Sequence, residues 1–162
     1  AAAGAAGAQV LALPEFGLGG CYKSREALAP FCEPEQGPQA RNASAMAAEA
    51  GLLLAVNVCE LAEDGVTLYN TELVFDGHAP GAPLVRKYRK THPWHAHVFA
   101  PGPGEPVVFR SEHLGVTFGV LVCKDMLYRE PRDSLLKLGA RHVLYSVAVD
   151  VWGARGAAEE GL

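Results

Sequence analysis

Short blocks of apolar residues alternate with Gly- and Pro-rich stretches along the whole chain. Gln9-Val10-Leu11-Ala12-Leu13 is an apolar run stopped by Pro14, which reads as a buried strand. Gly17, Gly19 and Gly20 then mark a loop, and the chain stays turn-rich to about Pro38. Residues 39–50 are Ala-rich and closed by Gly51, the pattern of a helix with a glycine just past its end. Leu52 to Val58 predicts a second buried strand. Val66 to Phe75 and Leu84 to Tyr88 predict a hairpin around the longer loop Asp76 to Pro83. Past the turn-rich Pro101-Gly102-Pro103-Gly104 come Val107-Val108-Phe109 and the strongly apolar Val116 to Val122, which runs straight into Cys123. A helix over Arg132 to Leu138, ended by Gly139, and a strand over His142 to Ala148 follow; Trp152 to Leu162 carries little pattern.

Strands outnumber helices, yet helices sit between several of them, so the expected class is a mixed, layered α/β architecture. No internal repeat and no linker divides the chain, and 162 residues suffice for one ordinary core but hardly two.

Composition narrows the function classes. The formal charge is −4 and the densest basic cluster is only Arg86-Lys87-Tyr88-Arg89-Lys90, so nucleic-acid binding has no electrostatic footprint. No apolar stretch approaches the roughly 20 residues that span a bilayer. Ala1 to Ala8 lacks the charged start and Leu-rich centre of a signal peptide and reads as the end of an amphipathic helix. The cysteines at 21, 32, 59 and 123 are widely spaced with no C-x-x-C pair, which argues against a zinc or redox site. With Cys123 set aside three remain, and the sequence does not choose which two pair. Asn42-Ala43-Ser44 is an N-glycosylation sequon and points toward secretion. His92, His95 and His97 alternate in a Pro-flanked loop, weak support for a metal site.

Three polar residues share one type of location, just past the end of a buried strand: Glu15, Lys90 and Cys123. Layered α/β folds assemble sites at the carboxyl ends of strands. Taken singly, a free cysteine after an apolar strand is more often packing, and Glu15 and Lys90 would be surface charges. Taken together their chemistry is coherent. A carboxylate can take the thiol proton as general base. A neighbouring ammonium favours the thiolate and stabilises an oxyanion. The backbone N–H of Lys124 would be the second oxyanion donor, and water activated by the same carboxylate would release a thioester. Asp125 reads as a turn residue bonding nearby amides, and Asn70 as a residue bonding neighbouring backbone. Trp94 and Phe99 either line the mouth of a pocket or pack in the core.

Leu13-Pro14-Glu15-Phe16-Gly17 resembles the P-E-x-G segment of the nitrilase (carbon-nitrogen hydrolase) superfamily, Tyr88-Arg89-Lys90 its Y-x-K segment, and Val122-Cys123-Lys124-Asp125 its C-x-D segment. Tyr69-Asn70-Thr71, Val74-Phe75-Asp76, Phe118-Gly119 and His142-Val143-Leu144-Tyr145 look like the biotinidase and vanin (pantetheinase) branch, and Cys32-Glu33-Pro34 leans toward biotinidase. The resemblance implies an α-β-β-α sandwich whose Glu15, Lys90 and Cys123 cleave a small-molecule vitamin amide, biotin-linked or pantetheine, without metal or cofactor. It also implies a secreted, glycosylated protein, with membrane anchoring only through a C-terminal segment outside this chain; oligomeric state stays open. Residues 1–162 then form a partial domain lacking its N-terminal strand and C-terminal half, with one sheet face left uncovered.

Two departures stand out. The superfamily places a further Glu after the triad Lys, whereas His92 to Phe99 contains no acid and His95 or His97 falls nearest. Its P-T-A-W segment is Ser146-Val147-Ala148-Val149 here, which puts Val149 where a Trp shapes the substrate pocket, alongside Trp94. These departures motivate the alternative, a catalytically inactive relative serving as a secreted binding or structural protein.

Overall fold

The computed structural model describes residues 2–20 and 24–148. Two sheets lie face to face, each with a helix on its outer side. The first has the order β1 (Val10–Ala12), β2 (Leu53–Leu61), β3 (Leu68–Asp76) and β4 (Leu84–Arg89), with β1 parallel to β2 and the others antiparallel. The second has the order β5 (Val107–Ser111), β6 (Val116–Val122) and β7 (His142–Ser146), with β5 antiparallel and β7 parallel to β6. Helix α1 (Ala2–Ala5) is short, α2 (Arg25–Leu28) is capped by the Ser24 side chain, α3 (Pro38–Ala50) lies on the first sheet, and α4 (Arg129–Lys137) lies on the second.

Period-two alternation assigns the faces. Leu54, Val56, Leu73 and Phe75 point to α3 and pack on Ala40, Ala43 and Ala47. Leu53, Ala55 and Val74 point the other way and meet Phe109, Phe118, Val120, Val122 and Leu144 of the second sheet. Leu121 turns outward onto Leu135 and Ala140. The order of layers is therefore α-β-β-α, as the resemblance implies. An uncovered sheet face is not found among the described residues, because α3 and α4 cover the two outer faces. An open edge is found instead. A groove of about 640 Å³ runs between β1 and β7, lined by Gln9, Val10, Val116, His142, Val143 and Tyr145 among others.

The sequence reading of residues 52–58 as a strand falls short, since β2 continues through Cys59, Glu60 and Leu61. Glu60 is tolerated there because Arg89 and Lys87 pair with its carboxylate and the Thr71 hydroxyl donates to it. Helix α2 falls within a stretch that reads as turns.

Candidate active site

Glu15, Lys90 and Cys123 converge at one end of the sandwich, where β1, β4 and β6 finish. Lys90 Nζ lies 2.5 Å from Glu15 Oε1, and both side chains are almost wholly out of solvent. The Lys90 N–H donates to Asn70 O at 2.8 Å, and its carbonyl accepts from Gly102 N–H at 2.8 Å. A Cβ on Gly102 would sit 2.1 Å from the Arg89 carbonyl oxygen, so only glycine lets the 101–104 turn close against this strand end.

Cys123 leaves β6 with φ of 44°, a left-handed conformation rarely held by a non-glycine residue, and starts a 3₁₀ turn to Leu127. Its thiol points to the Ala148 carbonyl at 3.8 Å, and the Ala148 N–H donates to Glu15 Oε2 at 3.3 Å. Tyr145 Oη donates to the Cys123 carbonyl at 3.1 Å. Burial pushes the thiol pKa above its ordinary value, and the Glu15 charge adds to the rise. Lys90 pulls it down, as its charge requires, but is outweighed. The Lys90 ammonium thus favours the thiolate, as its charge implies, while burial and Glu15 together favour the thiol.

Asp125 is fully buried and receives the Tyr88 hydroxyl at 2.6 Å and the N–H groups of Thr91 at 3.2 Å and His92 at 2.8 Å. It thereby ties the turn carrying Cys123 to the segment carrying Lys90. Burial and this negative neighbour push the Tyr88 phenol pKa up. His92 also bonds Asp125 through its ring and stacks on Tyr128 at 3.7 Å.

Trp94 is 70% exposed, so the core-packing reading fails for it, whereas Phe99 is buried against Phe16. Lys124 Nζ stands 5.4 Å from the Trp94 ring centre and 5.9 Å from that of Tyr128. The residue after the nucleophile position thus sits under an exposed indole. Asn42 is exposed on α3. Val149, the tail from Trp152 and Cys21 lie outside the described residues. Cys32 pairs with Cys59, the choice the sequence leaves open.

Beneath the three residues lies a polar layer on the inward faces of the sheets. Phe16 N–H donates to Asn57 Oδ1 at 2.9 Å, Asn57 Nδ2 to Asn70 Oδ1 at 2.8 Å, and Asn70 Nδ2 to Glu15 Oε1 at 2.8 Å. The backbone donor at the start fixes both amide orientations, and the chain ends by presenting an N–H to Glu15. The reading of Asn70 as a bonder of neighbouring backbone is corrected, because its side chain reaches Glu15 across 55 residues. Glu72 is buried beside Asn57 and Ser146, and burial pushes its pKa to about 8.

The model of the carbon-nitrogen hydrolase family matches residues 1–160. This chain belongs to that family. Among the relatives of this chain, biotinidase of Takifugu rubripes is 28% identical over 173 residues, covering 88% of this chain and 34% of the relative. Pantetheinase of Canis lupus familiaris is 26% identical over 158 residues, covering 81% and 30% respectively. The chain thus spans about a third of the length of these relatives. A solved mutant of the amidase from Nesterenkonia sp. AN1, with acrylamide added to its active-site cysteine, superposes with a TM-score of 0.71 at 25% identity, covering 96% of this chain and 60% of that one.

No strong sequence signal marks Asn57 and Glu72 as residues of this site. A faint one exists: Asn57 is polar inside an apolar strand, and Asn57 and Glu72 fall on the same inward face as Ala55 and Val74.

Proposed function

We propose that the protein hydrolyses a linear amide C–N bond through a thioester on Cys123. The observation that carries this reading is the meeting of Cys123, at a left-handed strand-to-turn junction, with the buried Glu15–Lys90 pair. As sulfur attacks the carbonyl carbon, Glu15 takes the thiol proton as general base. Lys90 and the Lys124 N–H stabilise the oxyanion. Collapse breaks the C–N bond, and Glu15 returns the proton to the departing amine. The vacated carboxylate then activates water, which hydrolyses the thioester and restores the thiol. A raised thiol pKa suits this sequence, because the proton moves only when substrate is seated.

The substrate class we propose is a small vitamin amide, either biotin-linked or pantetheine. Support comes from the biotinidase and pantetheinase relatives and from the residues shared with that branch. Trp94 would line the entrance, and Val149 stands in the sequence where the branch carries a Trp. The test is turnover of biocytin and pantetheine side by side by the longest natural form. Turnover of either, lost in Cys123→Ala, supports the reading. A folded protein silent on both overturns it in favour of an inactive binding relative.

We also propose that the protein is secreted and glycosylated at Asn42. The Cys32–Cys59 disulfide, a bond of oxidising compartments, and the exposed sequon support this. No helix among the described residues is long and apolar enough to cross a membrane. A mobility shift on glycosidase treatment, lost in Asn42→Gln, is the expected result.

A further inference from the structure

Ser146 Oγ lies 2.8 Å from the Leu13 carbonyl oxygen and 2.7 Å from Glu72 Oε1. A serine hydroxyl carries one proton. The Leu13 oxygen can only accept, so both contacts can be hydrogen bonds only if the Ser146 proton goes to Leu13. The proton between Ser146 Oγ and Glu72 Oε1 must then come from Glu72. The other carboxyl oxygen, Oε2, accepts from Asn57 Nδ2 at 3.2 Å, which leaves Oε1 as the protonated atom. Two carboxyl groups therefore sit in one buried layer with different tasks. Glu15 receives donors at both oxygens, from Lys90 and Asn70 on Oε1 and from Ala148 on Oε2. Glu72 gives one. A pair of carboxyl groups held apart in protonation by their surroundings is a recurring feature of acid–base sites.

The arrangement clamps the segment that bears Glu15. Two residues before it, the Leu13 carbonyl is held by Ser146, which Glu72 supports. One residue after it, the Phe16 N–H is held by Asn57, which also contacts Glu72. Glu72 thus touches both arms of the clamp and joins strands of the two sheets across 74 residues of sequence. We propose that Glu72 is a positioning residue for Glu15, carried in the neutral form, and that its ionisation disables the site. Loss of the proton would put a second negative charge beside Glu15 and leave the single Ser146 proton to serve either Glu72 or Leu13, so that one Ser146 contact of the clamp loses its hydrogen bond. Among the groups facing Glu72, Asn57 and Ser146 do not titrate. Glu15 is the charged neighbour acting on it, and behind Glu15 stand Lys90 and Cys123. Burial is the main cause that lifts the Glu72 pKa to about 8, and the Glu15 charge adds to it; hydrogen bonds that Ser146 and Asn57 can donate to the ionised carboxylate oppose the rise.

This inference rests on the amidase reading for its kinetic consequence but not for its protonation claim, and the experiment separates the two. Infrared titration of the full protein should show a protonated carboxyl band that persists at neutral pH, fades near pH 8, and is missing in Glu72→Gln. Identical spectra for the two proteins at neutral pH would overturn the proposal, whether or not the protein turns over an amide. With substrate, the wild-type kcat should fall tenfold or more as pH rises past 8. Glu72→Ala should lose tenfold or more at pH 7, and Glu72→Gln, shaped like the neutral acid, should recover most of that loss and keep its kcat above pH 8. An alkaline fall in Glu72→Gln equal to that of wild type would also overturn it. Silence of the wild-type protein toward amides would sink the amidase reading alone, leaving the infrared result to decide this one.

Discussion

Lys90 Nζ and Glu15 Oε1 are 2.5 Å apart, with the two side chains 1% and 3% exposed. A buried pair of this kind adds little over a well-packed apolar pair, but removing one partner leaves an uncompensated charge in the interior. Glu15→Gln and Lys90→Met should each destabilise the fold by about 3–5 kcal/mol in denaturant titration. The double variant should recover part of that loss, because neither charge is then stranded. Turnover should stay lost in all three. Equal instability of single and double variants would mean the ion pair is not the cause.

Cys123→Ala should keep the stability of the fold within about 1 kcal/mol, since the side chain is only partly buried and its backbone strain is unchanged. Amide turnover should disappear. Persisting turnover would exclude the thioester mechanism.

The thiol gives a readout that needs no substrate. Burial and Glu15 hold its pKa above the ordinary value, so the alkylation rate with iodoacetamide should still be climbing above pH 9. Glu15→Gln removes a negative neighbour while Lys90 remains, so the midpoint should move to lower pH. A midpoint unmoved or raised by that substitution would show that Glu15 does not face the thiol.

The elements legible in the sequence are those set by local periodicity. The apolar runs of β1, β2, β3 and β6 alternate between α3 or α4 and the space between the sheets, so their burial follows from the pattern. Cys123 is legible as a junction because an apolar strand stops there abruptly. That Glu15, Lys90 and Cys123 belong together comes from three motifs in order, since nothing local relates residues 75 apart. The layer beneath them is not legible. Glu72 belongs to no motif, and only cross-strand register opposite Asn57 and contact with the facing sheet at Ser146 make it a buried acid. Asp125 reads as bonding nearby amides, yet the amides are those of Thr91 and His92, brought close by packing of the two sheets.

The Cys32–Cys59 disulfide closes a loop of sequence separation 27 and lies in the cluster of Leu28, Leu68, Val98 and Phe99, against which Phe16 packs beside Glu15. Loop-closure entropy gives a bond of this span about 3–4 kcal/mol. Reduction, or Cys32→Ala with Cys59→Ala, should lower the denaturation midpoint accordingly. A midpoint indifferent to reductant would mean that the pair is already open in solution.

Glu72 should leave a signature in stability as well as in rate. Its pKa is about 8 in the fold and takes an ordinary carboxyl value of 4.5 once unfolded. Below pH 4.5 the group is protonated in both states and contributes no pH dependence. Between 4.5 and about 8 the unfolded chain has released the proton while the folded one keeps it, so the folded state binds more protons and loses stability as pH rises. Each pH unit in that window should cost about 1.4 kcal/mol from this group alone. Above pH 8 both forms are ionised and the slope from Glu72 vanishes. Glu72→Gln removes the titration, so its stability should fall less steeply than that of wild type between about pH 5 and 8, with the two curves diverging toward the alkaline end. Denaturant titrations of both proteins at unit pH intervals measure this directly. Parallel curves would show that Glu72 ionises alike in both states, and the neutral acid inferred from the Ser146 contact would then be wrong.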